Sequence, residues 1–177
     1  MAGTEAHGEL CDVYDRHRRK VGRIVPRNSH TLSDNEYRMI VVAIVEDKRG
    51  RCLVTRRSRK KTWGARLWEI PGGGAMAGED SLEAVRREFR EETGLDLTGA
   101  RGGYRFSYYR ENPGSGDNYF VDVYRFRLAF SKKDVKVSPE AEGFRLLFPW
   151  EILKIGARGE FFHFQDIQAA FGAAGGL

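Results

Sequence analysis

Glu88, Glu91 and Glu92 are the side chains of this 177-residue chain whose spacing most favours chemistry. On a helix, like charges at such spacings destabilise one another by roughly 0.2–0.5 kcal/mol per pair. The glycine-rich stretch PGGGAMAGE precedes them, and it lets backbone groups approach a ligand closely. Carboxylate and carbonyl oxygens are hard ligands that suit Mg²⁺ or Mn²⁺. The pattern therefore predicts a site for a divalent cation between the glutamates.

The helix that carries these glutamates has predictable ends. Asp80 and Glu83 have the D-x-x-E form of a capping box, which begins a helix at about Ser81. Gly94 is typical of the residue that follows a helix, because glycine adopts the left-handed conformation without strain. The three carboxylates are therefore expected on one helix between Ser81 and Gly94.

Helical geometry divides this helix into an apolar face and an acidic stripe. At ~100° per residue, three apolar side chains fall within about 60° of one another and form the predicted buried face, namely Leu82, Val85 and Phe89. The same geometry places three carboxylates beside that face at about 180°, 240° and 280°, namely Glu91, Glu88 and Glu92. The residues alone leave one alternative open, a solvated acidic face that is neutralised by Arg86, Arg87 and Arg90.

The stretch from Gly73 to Leu95 resembles the Nudix box, G-x5-E-x7-R-E-U-x-E-E-x-G-U, in which U is a bulky apolar residue. Every fixed position matches, and the one mild departure is Phe89, where an aliphatic residue is commoner. The resemblance implies an α+β Nudix fold, in which a mixed β-sheet is sandwiched between α-helices. It also implies hydrolysis of a diphosphate linkage in a nucleoside diphosphate derivative or a related organic diphosphate.

The resemblance implies roles for individual residues as well. It places Mg²⁺ or Mn²⁺ on the carboxylates of Glu88, Glu91 and Glu92 and on the carbonyl of Gly73. Glu79 and Arg87 are similar to the family's supporting pair, which orients the metal-binding carboxylates. The implied catalytic residues are thus Glu79, Arg87, Glu88, Glu91 and Glu92. The general base stays open between Glu91 on the helix and two loop residues of VSPEAEGF, Glu140 and Glu142.

Other segments resemble the isopentenyl-diphosphate-isomerase-like branch of the same superfamily. The segment DVYDRHRRKVGRIVPR (residues 12–27) suggests a strand-turn-strand before the core, and LVTRRS (residues 53–58) carries basic residues that meet a diphosphate in that branch. We expect three basic residues to contact the substrate, namely Arg57, Arg56 and Lys61. Isomerase activity is disfavoured because the isomerase's catalytic cysteine aligns with Gly73, and we expect both cysteines, Cys11 and Cys52, to lie far from the site.

Strand and helix patterns are mixed along the rest of the chain. Apolar and β-branched runs predict strands at residues 37–46, 51–57, 67–70, 103–110, 119–128 and 144–148. Pro149 is placed to begin a further helix, and the helical spacing of Phe164, Ile167 and Phe171 predicts a last one. Five aromatic residues are expected to flank the site and could stack on a base, namely Trp63, Trp68, Tyr108, Tyr109 and Tyr119.

Composition limits the remaining function classes. The chain suits one domain, which we expect over residues 10–172 between flexible ends at residues 1–9 and 173–177. No apolar run approaches the ~20 residues that span a membrane, and no secretory signal begins the chain, so we expect a cytoplasmic protein. The net charge of +5 and the basic clusters at residues 16–23 and 56–61 leave a non-catalytic nucleotide- or RNA-binding module as the alternative function. The family resemblance leaves a homodimer open.

Overall fold

The computed structural model describes residues 9–171, and the nine strands of this part form one mixed sheet. The strands are β1 (Leu10–Asp15), β2 (Lys20–Pro26), β3 (Glu36–Glu46), β4 (Cys52–Arg57), β5 (Trp68–Glu69), β6 (Gly72–Gly74), β7 (Arg101–Arg110), β8 (Tyr119–Arg127) and β9 (Ala141–Leu147). The α-helices are α1 (Ser81–Thr93), α2 (Pro149–Ala157) and α3 (Phe164–Ile167). Two short 3-10 helices span Lys132–Asp134 and Gln168–Phe171.

Strand β3 is the centre of the sheet. It runs parallel to β8 over nearly its whole length, and it pairs antiparallel with β1, β4 and β6. The β-branched run of β3 is buried on both faces from Ala43 to Glu46, as the sequence predicts for a central strand. Strands β1 and β2 form the expected N-terminal hairpin, which joins the sheet through β1 and β3.

Helices cover both faces of the sheet, which confirms the predicted α+β architecture. On one face α1 packs Val85 and Phe89 into a core that includes Val41 of β3. On the other face α2 and the C-terminal segment pack Ile152 and Ile167 into a second core. The glutamates therefore lie on a helix, α1, that packs firmly against the central strand.

Both predicted ends of α1 are confirmed. The Glu83 N–H donates to Asp80 Oδ1 over 2.8 Å, and the Asp80 N–H donates to Glu83 Oε2 over 2.9 Å. Gly94 has φ 73° and donates its N–H to the carbonyl of Arg90. The buried face was wrong at Leu82, which is exposed in the first turn, whereas Ala84 is fully buried. Helical periodicity alone therefore does not determine the burial of Leu82.

The glycine-rich stretch is partly a strand and not only the loop that its composition suggests. Gly72, Gly73 and Gly74 form β6 against Val42, Val41 and Ile40 of β3. A Cβ built on Gly72 would lie 2.0 Å from the carbonyl oxygen of Val41, so only glycine fits this close approach. The loop thus enters α1 from a backbone that is fixed by the sheet.

The described residues cover most of the predicted domain. Residues 1–8 and 172–177 lie outside the described residues, so the flexible ends and the single domain over residues 10–172 stay predictions. Glu9 belongs to the described part, where its carbonyl accepts a hydrogen bond from the N–H of Arg27. Within residues 9–171, no helix is both long and apolar enough to cross a membrane.

Candidate functional site

A cavity of about 1100 Å³ opens where β6 meets α1. Its lining contains Gly73 and the three glutamates that the sequence analysis singled out, Glu88, Glu91 and Glu92. The N-terminal hairpin, the loop before β9 and the segment that precedes α3 supply the other walls. The structure therefore places the predicted metal-binding residues on one concave surface.

Glu88 is the most buried of the three carboxylates, since its side chain is only 6% exposed. A Cβ built on Gly73 would lie 2.5 Å from Glu88 Oε2, so glycine leaves the space that this carboxylate occupies. Arg87 Nη1 donates to Glu88 Oε1 over 3.0 Å and to Glu91 Oε2 over 3.1 Å. Burial raises the pKa of Glu88, while Arg27 and Arg87 act in the opposite direction.

The carboxylate of Glu92 has a strongly raised pKa. Burial, followed by the negative charge of Glu69, raises the pKa of Glu92 to about 8. Its Oε2 accepts a hydrogen bond of 2.9 Å from the N–H of Gly72. Burial likewise raises the pKa of Glu69, although Arg57 opposes that shift. Burial therefore disfavours the ionised form of both carboxylates.

Glu79 and Arg87 form the pair that the family resemblance implies. The Arg87 guanidinium donates from Nε to Glu79 Oε1 over 2.6 Å and from Nη2 to Glu79 Oε2 over 2.8 Å. Nη2 also donates to the carbonyl of Gly74 over 3.0 Å. The hydrogen bond with Arg87 holds the pKa of Glu79 below its usual range. Arg87 therefore connects the loop, Glu79 and the two glutamates Glu88 and Glu91.

Two of the three predicted substrate-binding cations line the cavity, and the third does not. Arg57 lines the cavity, but it donates to Glu69 over 2.6 Å and to the carbonyl of Trp63. Lys61 also lines the cavity, and it pairs with Glu140. Arg56 is absent from the cavity lining of the described residues, because its side chain turns to the carbonyl of Arg66.

Of the two loop candidates for the general base, one lines the cavity and the other does not. Glu140 lines the cavity, and its hydrogen bond with Lys61 lowers its pKa. Glu142 is not among the described residues that line the cavity. It accepts a hydrogen bond from the N–H of Arg59 over 2.9 Å, which directs its carboxylate to the loop of residues 58–66.

The expectation for the cysteines was wrong for Cys11 and holds for Cys52. Cys11 contributes to the cavity wall, but its side chain is buried and Sγ donates to the carbonyl of Val25 over 3.5 Å. Burial raises the pKa of Cys11, so its thiol stays protonated at neutral pH. Cys52 lies in the core beneath α2, where burial raises its pKa to about 12.

Aromatic residues contribute to the site less than expected. Trp63, Tyr108 and Tyr119 line the cavity, and Trp63 is 77% exposed. Trp68 and Tyr109 are not among the described lining residues. Trp68 packs in the core of α2, and Tyr109 packs edge-on to the ring of Tyr37 on the other face of the sheet.

Sequence reasoning missed several charged residues of the cavity wall, among them Arg27, Arg38, Glu69 and His163. Glu69 had a usable signal, because it is a lone acidic residue in the apolar strand just before the glycines. The two arginines come from the hairpin and from the start of β3. Their approach to the glutamates depends on strand register, which one sequence does not reveal.

The residues at the site fit a divalent cation. Glu88 and Glu92 are buried or partly buried carboxylates beside a glycine that leaves room for Glu88. Glu91 and the Gly73 carbonyl could supply further oxygen ligands of the kind that Mg²⁺ prefers. Within residues 9–171 no group of three or more His, Cys, Asp or Glu residues is already arranged to hold a metal ion. The side chains of Glu88 and Glu91 instead share Arg87.

Comparison with known proteins identifies the family. The family model of the NUDIX domain matches residues 36–166. The chain belongs to the Nudix family. It is therefore an enzyme of the Nudix hydrolase class, whose members hydrolyse diphosphate linkages and generally use divalent metal ions.

Relatives of this Nudix hydrolase include three informative proteins. An uncharacterized Nudix hydrolase of Listeria monocytogenes is 30% identical over 72% of this chain and 76% of its own length. The RNA pyrophosphohydrolase of Gluconacetobacter diazotrophicus is 42% identical over 39% of this chain and 46% of its own. The crystal structure of DR0079 from Deinococcus radiodurans superposes with a TM-score of 0.72 at 23% identity, over 92% of this chain and 97% of that one. The last likeness supports the fold.

Proposed function

We propose that this Nudix hydrolase uses Mg²⁺ or Mn²⁺ to cleave the diphosphate linkage of a nucleoside diphosphate derivative or a related organic diphosphate. The observation that carries the proposal is the convergence of Glu88, Glu91 and Glu92 on the cavity floor beside Gly73. A cavity of about 1100 Å³ has room for a nucleotide-sized molecule, since ligand pockets typically measure about 300–1,000 Å³.

In this proposal Glu88, Glu91, Glu92 and the carbonyl of Gly73 hold the cation. When bound, a divalent cation neutralises phosphate charge and lowers the pKa of a bound water. The protein residues have separate tasks. Arg87 holds Glu88 and Glu91 in place through a guanidinium that is itself fixed by two hydrogen bonds to Glu79. Lys61 and Arg57 lie where they can meet a phosphate, although each is paired with a carboxylate.

Two carboxylates are proposed as the general base. Glu91 is 54% exposed on the cavity side of α1, so it can reach a water molecule in the cleft. Glu140 faces the cavity from the loop before β9, and its pairing with Lys61 keeps it ionised. Glu142 points to the loop of residues 58–66, which makes it the weaker loop candidate.

The test is phosphate release, coupled to an added phosphatase or pyrophosphatase, across nucleotide sugars, dinucleotides, nucleoside triphosphates, triphosphorylated RNA and prenyl diphosphates. Each substrate is assayed with Mg²⁺, with Mn²⁺ and with a chelator. We expect metal-dependent turnover of one class and loss of that turnover in Glu91→Gln or Glu140→Gln, whichever residue is the base. Turnover that is unaffected by the chelator would contradict the proposal.

The branch of the superfamily, the substrate class, the location and the oligomeric state are more specific than the family match. The isopentenyl-diphosphate-isomerase-like branch stays a prediction, and isomerization is disfavoured by Gly73 at the position of the catalytic cysteine. RNA enters as a candidate substrate because a relative is an RNA pyrophosphohydrolase. A purely RNA-binding role is disfavoured because the acidic site is complete. The cytoplasmic location and the homodimer stay predictions.

A further inference from the structure

Arg27 lies beside the Nudix-box carboxylates although it precedes the residues that match the family. It directly follows β2 of the N-terminal hairpin. Its Nη1 is 3.8 Å from Glu88 Oε1, and its Nε would lie 3.1 Å from a Cβ built on Gly74. The hairpin thus brings a guanidinium to the floor of the cavity, next to the residues that are proposed to hold the cation.

The hairpin is held against the Nudix box, so this position is fixed. The N–H of Ala77 donates to the carbonyl of Leu10, and the N–H of Gly78 donates to Asp12 Oδ2, each over 2.8 Å. Both donors belong to the loop that leads into α1, and both acceptors belong to β1. The arginine at the end of the hairpin is therefore positioned by the same loop that positions the glutamates.

Among the cavity arginines of residues 9–171, Arg27 has the most exposed carboxylate partner. Arg38, Arg57, Lys61 and Arg110 line the same cavity and pair with Asp117, Glu69, Glu140 and Asp166. Arg27 pairs with Glu9, which is 44% exposed at the edge of the described chain. Among residues 9–171 neither Nε nor Nη2 of Arg27 has a hydrogen-bond acceptor. A solvent-exposed ion pair contributes little, so an anion can replace Glu9 at small cost.

We propose that Arg27 binds a phosphate oxygen of the diphosphate substrate, releasing Glu9 as the substrate enters. A guanidinium suits this task because its planar fork matches two phosphate oxygens and stays charged at all physiological pH values. A diphosphate held at the glutamates must come within reach of this side chain, because Arg27 borders Glu88 directly. The proposal rests on the proposed function, and it assigns part of substrate recognition to a hairpin outside the family match.

The test compares the binding of two probes, Mn²⁺ alone and imidodiphosphate in the presence of saturating Mn²⁺, by calorimetry on the full chain. Imidodiphosphate resembles a diphosphate but has a nitrogen bridge that resists cleavage. In Arg27→Gln we expect imidodiphosphate to bind about tenfold or more weakly, the size of a lost charge-assisted hydrogen bond. Mn²⁺ alone should bind equally well or more tightly, because a positive charge beside Glu88 has been removed.

The comparison of the two probes separates substrate binding by Arg27 from a structural role. If Arg27 only positioned Glu88, both affinities would fall together, and that outcome overturns the proposal. Unchanged imidodiphosphate binding would overturn it as well. The matched control is Arg23→Gln, because Arg23 belongs to the same hairpin, is 41% exposed where Arg27 is 38% exposed, and pairs with Glu36 away from the cavity. Its affinities for both probes should equal those of the wild type.

The Arg27→Gln variant is expected to fold, and its binding result does not depend on hydrolysis. The backbone N–H and carbonyl of Arg27 make its contacts to Glu9 and Arg38, and both persist in the variant, so the fold is expected to survive. Arg27→Lys keeps the charge and should recover part of the imidodiphosphate affinity. Absence of hydrolysis with any substrate would reject the proposed function, yet imidodiphosphate binding would still report on Arg27.

Discussion

At the scale of single residues, Glu92 shows how the site concentrates negative charge. Its carboxylate is held near Glu69 and Glu88, and only the Gly72 N–H donates a hydrogen bond to it within residues 9–171. A bound divalent cation would remove this electrostatic cost. Glu92→Gln is therefore expected to weaken Mn²⁺ binding at least tenfold, as judged by calorimetry, because it deletes a charged oxygen ligand.

The same substitution should not destabilise the chain without metal. Glutamine can still accept the hydrogen bond from Gly72, and it no longer repels Glu69. We expect the free energy of unfolding in a chelator to be unchanged or higher, as measured by urea denaturation. Glu160→Gln removes an exposed carboxylate outside the described cavity lining and serves as the control. Wild-type Mn²⁺ affinity in Glu92→Gln would remove Glu92 from the ligand set.

Sequence alone predicted the glutamates of the site but not their neighbours. Glu88, Glu91 and Glu92 are close in the chain, so helical geometry alone brings them together. Glu69 and Arg27 reach the same cavity from β5 and from the end of the hairpin. Their approach depends on pairing between strands that are distant in sequence, and a single chain carries no signal for that register.

At the scale of secondary structure elements, Arg18 fastens the hairpin to the sheet. It lies in the β1–β2 turn with φ 64° and donates to Ser107 Oγ over 2.6 Å and to Asp122 Oδ2 over 2.7 Å. Its guanidinium also covers the ring of Phe120 at 4.4 Å. Asp122 is only 1% exposed, so it depends on this arginine as its counter-charge.

Arg18→Gln is expected to lower the free energy of unfolding by about 2–3 kcal/mol, because it leaves a buried carboxylate without its cation. Urea denaturation at neutral pH measures the loss. The neighbouring Arg19→Gln breaks only an exposed pair with Asp15, and it should change stability by less than about 0.5 kcal/mol. Equal effects of the two substitutions would show that Asp122 does not need Arg18.

The segment before α3 contains a partly buried histidine that makes stability depend on pH. His163 lines the cavity, and burial, reinforced by Arg110, lowers its pKa to about 4. In the unfolded chain its pKa is about 6.5. The unfolded state therefore binds the proton first, so His163 favours folding above about pH 6.5, and this contribution is lost as the pH falls towards 4.

Replacement of this histidine should make the free energy of unfolding depend less on pH below neutrality. Asparagine tolerates the left-handed conformation that His163 adopts with φ 53°. Between pH 7 and 5, His163→Asn should lose less unfolding free energy than the wild type, by up to ~2 kcal/mol. Urea titrations at several pH values measure this difference. His17→Asn, at an exposed position in the hairpin turn, should follow the wild type; parallel curves for His163→Asn would reject the assignment.

At this scale the sequence predicted correctly the secondary structure elements that local signals determine. The capping box, Gly94 and the β-branched run of β3 all gave the observed elements. Leu82 and the glycines of β6 were misread because long-range packing decides them. Leu82 is exposed although it shares the helical face of Val85 and Phe89, and Gly72 pairs closely with a strand that is distant in sequence.

At the scale of the whole molecule, the two basic clusters bear on the alternative RNA-binding function. Most of their cations are already paired with carboxylates in the described chain. In residues 16–23 the pairs are Arg18–Asp122, Arg19–Asp15, Lys20–Asp12 and Arg23–Glu36. In residues 56–61 they are Arg57–Glu69, Arg59–Glu142 and Lys61–Glu140. The number of basic residues in the two clusters therefore overstates the positive charge that a phosphate backbone would meet.

This pairing predicts weak association with single-stranded RNA when the acidic site holds no metal. In a chelator, fluorescence anisotropy with a labelled monophosphorylated oligonucleotide should give a shallow salt dependence, with a slope that corresponds to only one or two released counterions at about 0.7 per phosphate contact. A non-catalytic binding module would instead use both clusters and give a steep slope with tight binding at low salt. A steep slope that persists in Glu92→Gln would assign RNA binding to the basic surface and not to the hydrolytic site.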